Sequence, residues 1–556
     1  MPPPLPPAGR PRVPSVLFLA FTSLALPGVA RAGVITGVSC GLQTHNTMRE
    51  SCDVSLSTSS TVQLGYRVHS VGGAYTWGPT TGGTSVTLVA YNFTPDTEYD
   101  YEVRVGDTAP YETSTGTFTP YLPDSLTSDA EDTGAGGSYL LDVSGAGGQH
   151  SNFVLFDTLG CDGHPYMVAV RPDSTTSPSS GTIVWYLDVD AESTWGASKI
   201  KGWSYDPHDK HIYLVADQRY AYEFAMDGTE VTERDYSAQC SNASGDDGPC
   251  PHHDIHHSAD TDRTYVLVGD LDTTDTVTGT WWEGKTGCTS ASRFSDDGWE
   301  ERDAGLGGSL STTVLAMEDL GFDPSSDAGP NPDHSQCTSP YWTPAFDSTY
   351  DSLDWTHVNS IYTVKPSGGA PEFAILSVRN WDQIVKIDTS DGSIAWTLSP
   401  NASYSSFGTI VDGTGVSGPA DFGAQHAVTD TLGVLQMFDN RGGVASGDAD
   451  LAGRVIQIDF DGSTPEIVRS WEMWQATGDH RLTGCNIEGS GYTVPGTSGH
   501  NVLADCALKN TIQELDDYDG VTSAEPPLEV KRDAGSCDDS DFPWYRAHPL
   551  LGIGDY

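Results

Sequence analysis

The sequence predicts an all-β protein: a small β-sandwich followed by a six-bladed β-propeller. Two observations carry that expectation. Strand-length apolar runs leading into a second run and an Asp/Gly turn begin six times between residues 137 and 556. Shorter alternating runs, punctuated by Gly, Pro and Thr, fill residues 33–119, and no long helical periodicity interrupts either region.

Residues 1–32 read as a signal peptide. Arg10 and Arg12 give a basic start, Val13 to Leu26 is apolar, and Ala30-Arg31-Ala32 supplies a small-x-small cleavage site before Gly33. The run is too short to span a bilayer, and no later stretch reaches the ~20 apolar residues a span requires. The expectation is export without membrane insertion; periplasm, cell surface and medium all fit.

Residues 33–119 alternate as a sandwich should, in Val62-Leu64-Tyr66-Val68 and Val86-Leu88-Ala90. The run Asn92-Phe93-Thr94-Pro95-Asp96-Thr97-Glu98-Tyr99-Asp100-Tyr101-Glu102-Val103 resembles the fibronectin type III signature near its tyrosine corner, where a tyrosine hydroxyl pins a connection between sheets. A fibronectin III-like β-sandwich is therefore expected. A polar linker is expected over 120–136, within the Ser/Asp/Thr/Gly-rich stretch from Pro123 to Gly137.

The propeller is assigned to 137–556. Its six apolar starts are Tyr166–Val170, His211–Ala216, Thr264–Val268, Phe373–Ser377, Leu432–Phe438 and Asn501–Ala504. The Asp/Gly segments 388–392, 459–462 and 516–520 lack the full calcium-loop ligand spacing, so they read as hairpin turns. The Ser/Asp/Gly-rich stretch 270–350, with Trp281, Trp282 and Trp342, reads as an insertion that either caps the channel or decorates a loop.

Ten cysteines in an exported chain favour disulfides, with Cys40–Cys52, Cys240–Cys250 and Cys485–Cys506 as plausible pairs. Cys161, Cys288, Cys337 and Cys537 stay unassigned. The formal charge of −50, from 27 basic and 77 acidic residues, argues against nucleic acid and anionic lipid as partners. An anionic substrate then needs positive charge concentrated at its site.

Three histidine segments supply a candidate: Pro-Cys-Pro-His-His-Asp-Ile-His-His from Pro249, Asp-Trp-Thr-His-Val-Asn-Ser from Asp354, and Gly-Ala-Gln-His-Ala from Gly423. Arg379 follows the second. His256, His257, His208, His211 and His334 read more readily as surface loop residues. A metal site from the crowded His252, His253, His256 and His257 is disfavoured, because no helix sets them on one face; no metal or cofactor is expected. Transfer of a sulfuryl or phosphoryl group fits better, since it needs a nucleophile, cationic donors and a proton donor.

The order and wording of these motifs, with Phe-Asp-Asn downstream of Gln-His, resemble the bacterial arylsulfotransferase family, which uses no nucleotide sulfate donor. The resemblance runs over roughly residues 137 to 525. It implies a phenolic sulfate donor and a phenol acceptor, with His426 as the nucleophile that becomes sulfo-histidine. His253 and His357 would hold sulfate oxygens and move protons, Arg379 would neutralise the sulfate, and Asn359 would be a neighbouring donor. His252 is the alternative match to the first histidine. Ala427 departs from the family, which usually places an acidic residue there. Two other readings stand beside this one: a non-catalytic secreted binding propeller, and a metal-dependent hydrolase that a chelator would inhibit. A monomer and a homodimer are both compatible with the sequence.

Overall fold

The computed structural model describes residues 34–550, except 44–45, 108, 128–140, 161–162, 173–180, 195, 227–229, 241–249, 277–292, 315–335, 339–351, 355, 367–370, 415–421, 432, 441–452, 461–463, 477–481, 483–484, 486–488, 498–500, 517–524 and 533–545. The expected signal peptide therefore lies outside the described residues. So do Trp281, Trp282, Trp342, His334, Cys161, Cys288 and Cys537.

The N-terminal region is a six-stranded sheet organised by one long strand, Asn46–Val68. Its first part pairs with Ile35–Gln43 and Thr81–Ala90, and its last part with Tyr99–Val105, which pairs in turn with Glu112–Phe118. Alternation explains the burial: Cys52, Val54, Leu56, Val62 and Leu64 turn inward. Tyr99 Oη accepts a hydrogen bond from the Thr94 N–H at 3.0 Å, so a tyrosine of the quoted run does pin its connection. The core continues into Val168, Val170, Ile183 and Tyr186, and the Thr47 N–H donates to Tyr186 Oη at 2.9 Å. Within the stretch expected to be linker, Asp124–Leu126 forms a single 3-10 turn whose Leu126 is fully buried.

Six further sheets follow among the described residues. Their first strands are Ile200–Asp206, Cys250–Ser258, Val358–Val364, His426–Thr431, Gly489–Thr493 and, from the chain's end, Ala547–Leu550. The last of these pairs with Phe153–Leu159, while Leu141–Ser144 completes the sheet that begins at Gly489. Successive first strands lie beside one another in this order, and Arg546 Nη1 bonds the Trp203 carbonyl at 2.9 Å, linking the last to the first. Each second strand is apolar on both faces, as in the fully buried Ala374-Ile375-Leu376, which is why these strands read as continuous apolar runs.

Five of the six expected starts fall on second strands, in His211–Ala216, Arg263–Thr276, Phe373–Val378, Val434–Asp439 and Val502–Cys506. The sixth, Tyr166–Val170, falls on a third strand, because Ala547–Leu550 adds itself at the edge. All three expected disulfides are present. Asp388–Gly392 is a hairpin turn, with the Gly392 N–H on the Asp388 carbonyl and Gly392 at φ +73°.

Two expectations are corrected. His256 and His257 belong to the Cys250–Ser258 strand, with His257 6% exposed, because their rings pack on Tyr362 and Tyr213. Part of the expected insertion is sheet: Arg263–Thr276 pairs with Arg293–Asp303 and buries Trp299 completely.

Candidate active site: a histidine and arginine centre

Three histidines sit at irregularities near the starts of first strands. Pairing register breaks between Pro251 and Ile255, between Val358 and Ser360, and between His426 and Thr429. His253 (φ +44°), His357 (φ +49°) and Ala427 (φ +51°) occupy left-handed backbone at or next to these breaks. Such breaks re-aim side chains that a regular strand would alternate, and strained backbone collects at functional positions. Gly202 makes room for the first: a Cβ there would lie 1.8 Å from the His253 carbonyl oxygen. Gly202→Ala is expected to displace His253, lowering turnover and melting temperature together; an unchanged melting temperature would contradict that packing.

The breaks bring His253 and His357 together, with ring centroids 4.9 Å apart at 56°. The charges of His357 and His426 act on His253, and those of Arg379 and His357 act on His426. His252, the alternative first histidine, is fully buried and faces Asp297, with Nε2 3.3 Å from Oδ1. Its Nδ1 lies 3.0 Å from His253 Nδ1, so it supports His253 from behind. Burial alone would raise the Asp297 carboxyl; hydrogen bonds from His252, Thr356 Oγ1 (2.6 Å) and the Val358 N–H (2.7 Å) outweigh it and hold the pKa below the usual value. A fixed carboxylate behind a histidine pair follows the logic of a second shell.

His426 is the most constrained of the three. Its Nδ1 lies 2.7 Å from Asn440 Oδ1 and 2.9 Å from the Ala424 carbonyl, both acceptors. Asn440 cannot present its nitrogen instead, because its Nδ2 donates to the Cys485 carbonyl beside the Cys485–Cys506 disulfide. Nδ1 therefore carries the proton and Nε2 the lone pair. Nε2 is buried and has no hydrogen-bond partner among the described residues.

The loop before it is held at each residue. The Gly423 N–H donates to Asp439 Oδ1, the Ala424 N–H to Asp382 Oδ1, and the Gln425 carbonyl accepts from Asn359 Nδ2 (2.8 Å) and Ser377 Oγ (3.0 Å). Asn359 thus braces the His426 loop. Arg379 packs its N–H on the His357 carbonyl and extends Nη1 to Asn380 Oδ1. The carboxylate missing at Ala427 is not needed to orient His426, since Asn440 and Ala424 do so.

Burial, with the Arg379 charge second, pushes the His426 pKa well below the usual value for histidine. Burial, then His357 and His252, does the same to His253. Both rings stay neutral as pH falls through ~6.5, the unperturbed value. The acid limb of kcat/KM is expected well below pH 6.5, and a limb at 6.5 would contradict a buried nucleophile. The unfolded chain binds those protons first, so each ring's contribution to stability falls as pH drops below 6.5, by at most about 1.4 kcal/mol per pH unit.

Asn440, Asp297 and Arg546 were not assigned roles from sequence. Asn440 had a visible signal in Phe438-Asp439-Asn440; the others had none, since their contacts form only on folding. Asn440→Ala is expected to lower kcat about 10- to 100-fold with little change in KM, as for loss of an outer-shell partner, and an unchanged kcat would contradict the positioning role.

A buried neutral imidazole with a free lone pair, a guanidinium and two more imidazoles have the chemistry to transfer an anionic group. Residues 313–475 match the family model described as Arylsulfotransferase (ASST), so that segment is similar to the arylsulfotransferase family. The match contains His357, Arg379 and His426 and supports arylsulfotransferase activity. No curated protein sequence matches the chain. Among solved structures, the chain is similar to Sqt1 of Saccharomyces cerevisiae, at 8% identity and TM-score 0.30, covering 79% of this chain and 84% of that one. It is also similar to dihydro-heme d1 dehydrogenase NirN, at 10% identity and TM-score 0.30, covering 84% and 68%. Likeness at that level says nothing further about this chain.

Proposed function

We propose that this chain is an exported aryl sulfotransferase that moves a sulfuryl group from a phenolic sulfate ester to a phenolic acceptor through sulfo-histidine at His426. The observation that carries this reading is the fixed tautomer of His426, with Nε2 buried, unprotonated and unpartnered under the Arg379 charge.

In the first step, the Nε2 lone pair attacks sulfur, an N–S bond forms, and the aryl oxygen–sulfur bond breaks with its electron pair leaving on the phenolate. His357 supplies the proton that makes the leaving group a phenol, while the neutral His253 ring holds a sulfate oxygen. Arg379 binds sulfate oxygens as a planar fork and offsets the repulsion of a chain carrying −50 overall. In the second step, the acceptor phenol gives its proton to the same histidine, its oxygen attacks sulfur, and the N–S electron pair returns to Nε2.

The same reading takes the six sheets as propeller blades closed by the chain's two ends, with the histidines at the central channel. It takes residues 1–32 as a signal peptide, 33–119 as a fibronectin III-like sandwich, 120–136 as linker and 137–556 as propeller. The order of first strands and the three disulfides support it.

The test is 4-nitrophenyl sulfate with phenol as acceptor. Nitrophenol release that requires phenol is expected. Release at the same rate without acceptor would mean hydrolysis, and no release across a panel of phenols would overturn the proposal.

A further inference from the structure

Away from the histidine centre, the opposite end of the same strands carries a second cluster. His257 is near the end of Cys250–Ser258, Asp262 lies in the turn that follows, and Asp206 and Asp209 lie at the turn joining Ile200–Asp206 to His211–Ala216. His257 Nε2 stands 3.8 Å from Asp206 Oδ2, 3.8 Å from Asp209 Oδ2 and 3.9 Å from Asp262 Oδ1.

Each group's other atom is already engaged. Asp206 Oδ1 accepts the His208 N–H at 2.8 Å, Asp209 Oδ1 lies 2.6 Å from His208 Nδ1, and His257 Nδ1 lies 3.1 Å from Thr264 Oγ1. Stacking on Tyr213, with centroids 4.9 Å apart and planes at 8°, fixes the His257 ring. The inward atoms, His257 Nε2 and Asp206 Oδ2, are buried and have no hydrogen-bond partner among the described residues. The His257 side chain is 2% exposed.

An unpartnered buried imidazole nitrogen facing an unpartnered buried carboxylate oxygen is costly unless something sits between them. A protonated His257 would draw a carboxylate to about 2.7–2.9 Å, yet all three stand a full ångström farther away. A tetrahedral ion bound at ~2.0–2.2 Å holds its donors about 3.4 Å apart, and the His257, Asp206 and Asp209 donor atoms already lie within 4.8 Å of one another.

We propose that His257, Asp206 and Asp209 form a binding site for a divalent transition-metal ion of the zinc or manganese class, with the exposed Asp262 beside it. Imidazole with carboxylates suits such ions, whereas calcium prefers all-oxygen sets. The ion would tie the turns of two neighbouring sheets together, at the rim of a cavity of about 780 Å³ that Asp206 and His257 help to line. It is separate from the sulfuryl-transfer chemistry. Between the two ends lie the Arg546–Asp254 ion pair (2.6 Å) and the stacked Tyr492 and His548 rings.

The test is equilibrium dialysis of EDTA-treated full chain against zinc chloride, with melting temperature measured in parallel. One tight equivalent and a raised melting temperature are expected, with Asp209→Asn weakening that equivalent at least tenfold. Asp209 is 39% exposed, so this variant should fold even if His257→Ala does not. Manganese chloride run the same way covers the other member of the class. Binding of both ions that is weak, or identical in wild type and Asp209→Asn, would overturn the site. Phenol-dependent transfer at low temperature should survive EDTA; its loss there would contradict the separation of the two sites.

Discussion

His426→Ala is expected to abolish sulfuryl transfer, lowering kcat/KM by at least about 10³-fold, or about 4 kcal/mol in transition-state free energy. No neighbouring group can replace it. His253 and His357 are held by a different pair of strands, and His426 has a proton fixed on one nitrogen by two acceptors and a bare lone pair on the other. The substitution leaves Asn440 Oδ1 without that partner, at a cost of about 1–3 kcal/mol, so the protein should fold with a somewhat lower melting temperature. Folded His426→Ala with wild-type transfer would remove the nucleophile assignment altogether.

Arg379→Lys carries the second large effect. A lysine keeps the charge but loses the planar fork, and its compact ammonium cannot hold two sulfate oxygens at once. Removing a preorganised donor of this kind costs about 10²–10³-fold in kcat. The loss should appear in kcat and kcat/KM alike, because the charge on the sulfuryl oxygens is redistributed in the transition state. Near-normal kinetics would place Arg379 outside the sulfate-binding set. Arg379→Gln, which removes the charge as well, should relax the His426 pKa upward, since Arg379 is the first charge acting to lower it. The acid limb of the residual activity would then move to higher pH.

The parts of this molecule legible in its sequence are those whose physics is local. Second strands such as Phe373–Val378 are buried on both faces, so burial writes itself as an apolar run. Disulfides joining Cys40 to Cys52 or Cys240 to Cys250 close short loops that spacing can suggest. The first strands were not legible as strands. Cys250–Ser258 contains four histidines and an aspartate, and its polarity is satisfied only by distant groups. Asp254 receives the Ile361 N–H at 2.9 Å and Arg546 Nη1 at 2.6 Å, the latter 292 residues away. A register break in the same strand then destroys the period-two pattern that would have betrayed it.

The site divides in the same way. His253, His357, Arg379 and His426 stood out because their residue types fit one chemistry and their motifs resemble a known family. Choosing His253 over His252 required the fold, because adjacent histidines differ only in which neighbour each one meets. His252 meets Asp297 and His253 meets His357. The group that fixes the His426 tautomer, Asn440, sits 14 residues past His426 on the far side of a hairpin, so the Phe438-Asp439-Asn440 motif was visible but its contact was not. His257 was misread for a related reason: a histidine pair reads as polar loop until Tyr213 and Thr264 are seen to enclose it.

The central claim is a covalent sulfuryl group on His426. The most direct measurement is to mix the protein with 4-nitrophenyl sulfate without acceptor, quench in base, where an N-sulfo imidazole is longest-lived, and map the peptides by mass spectrometry. A sulfo adduct confined to the peptide carrying His426, formed with a matching burst of nitrophenol and discharged by added phenol, is the predicted result. A phenol-dependent transfer that proceeds with no adduct on that peptide would contradict the account.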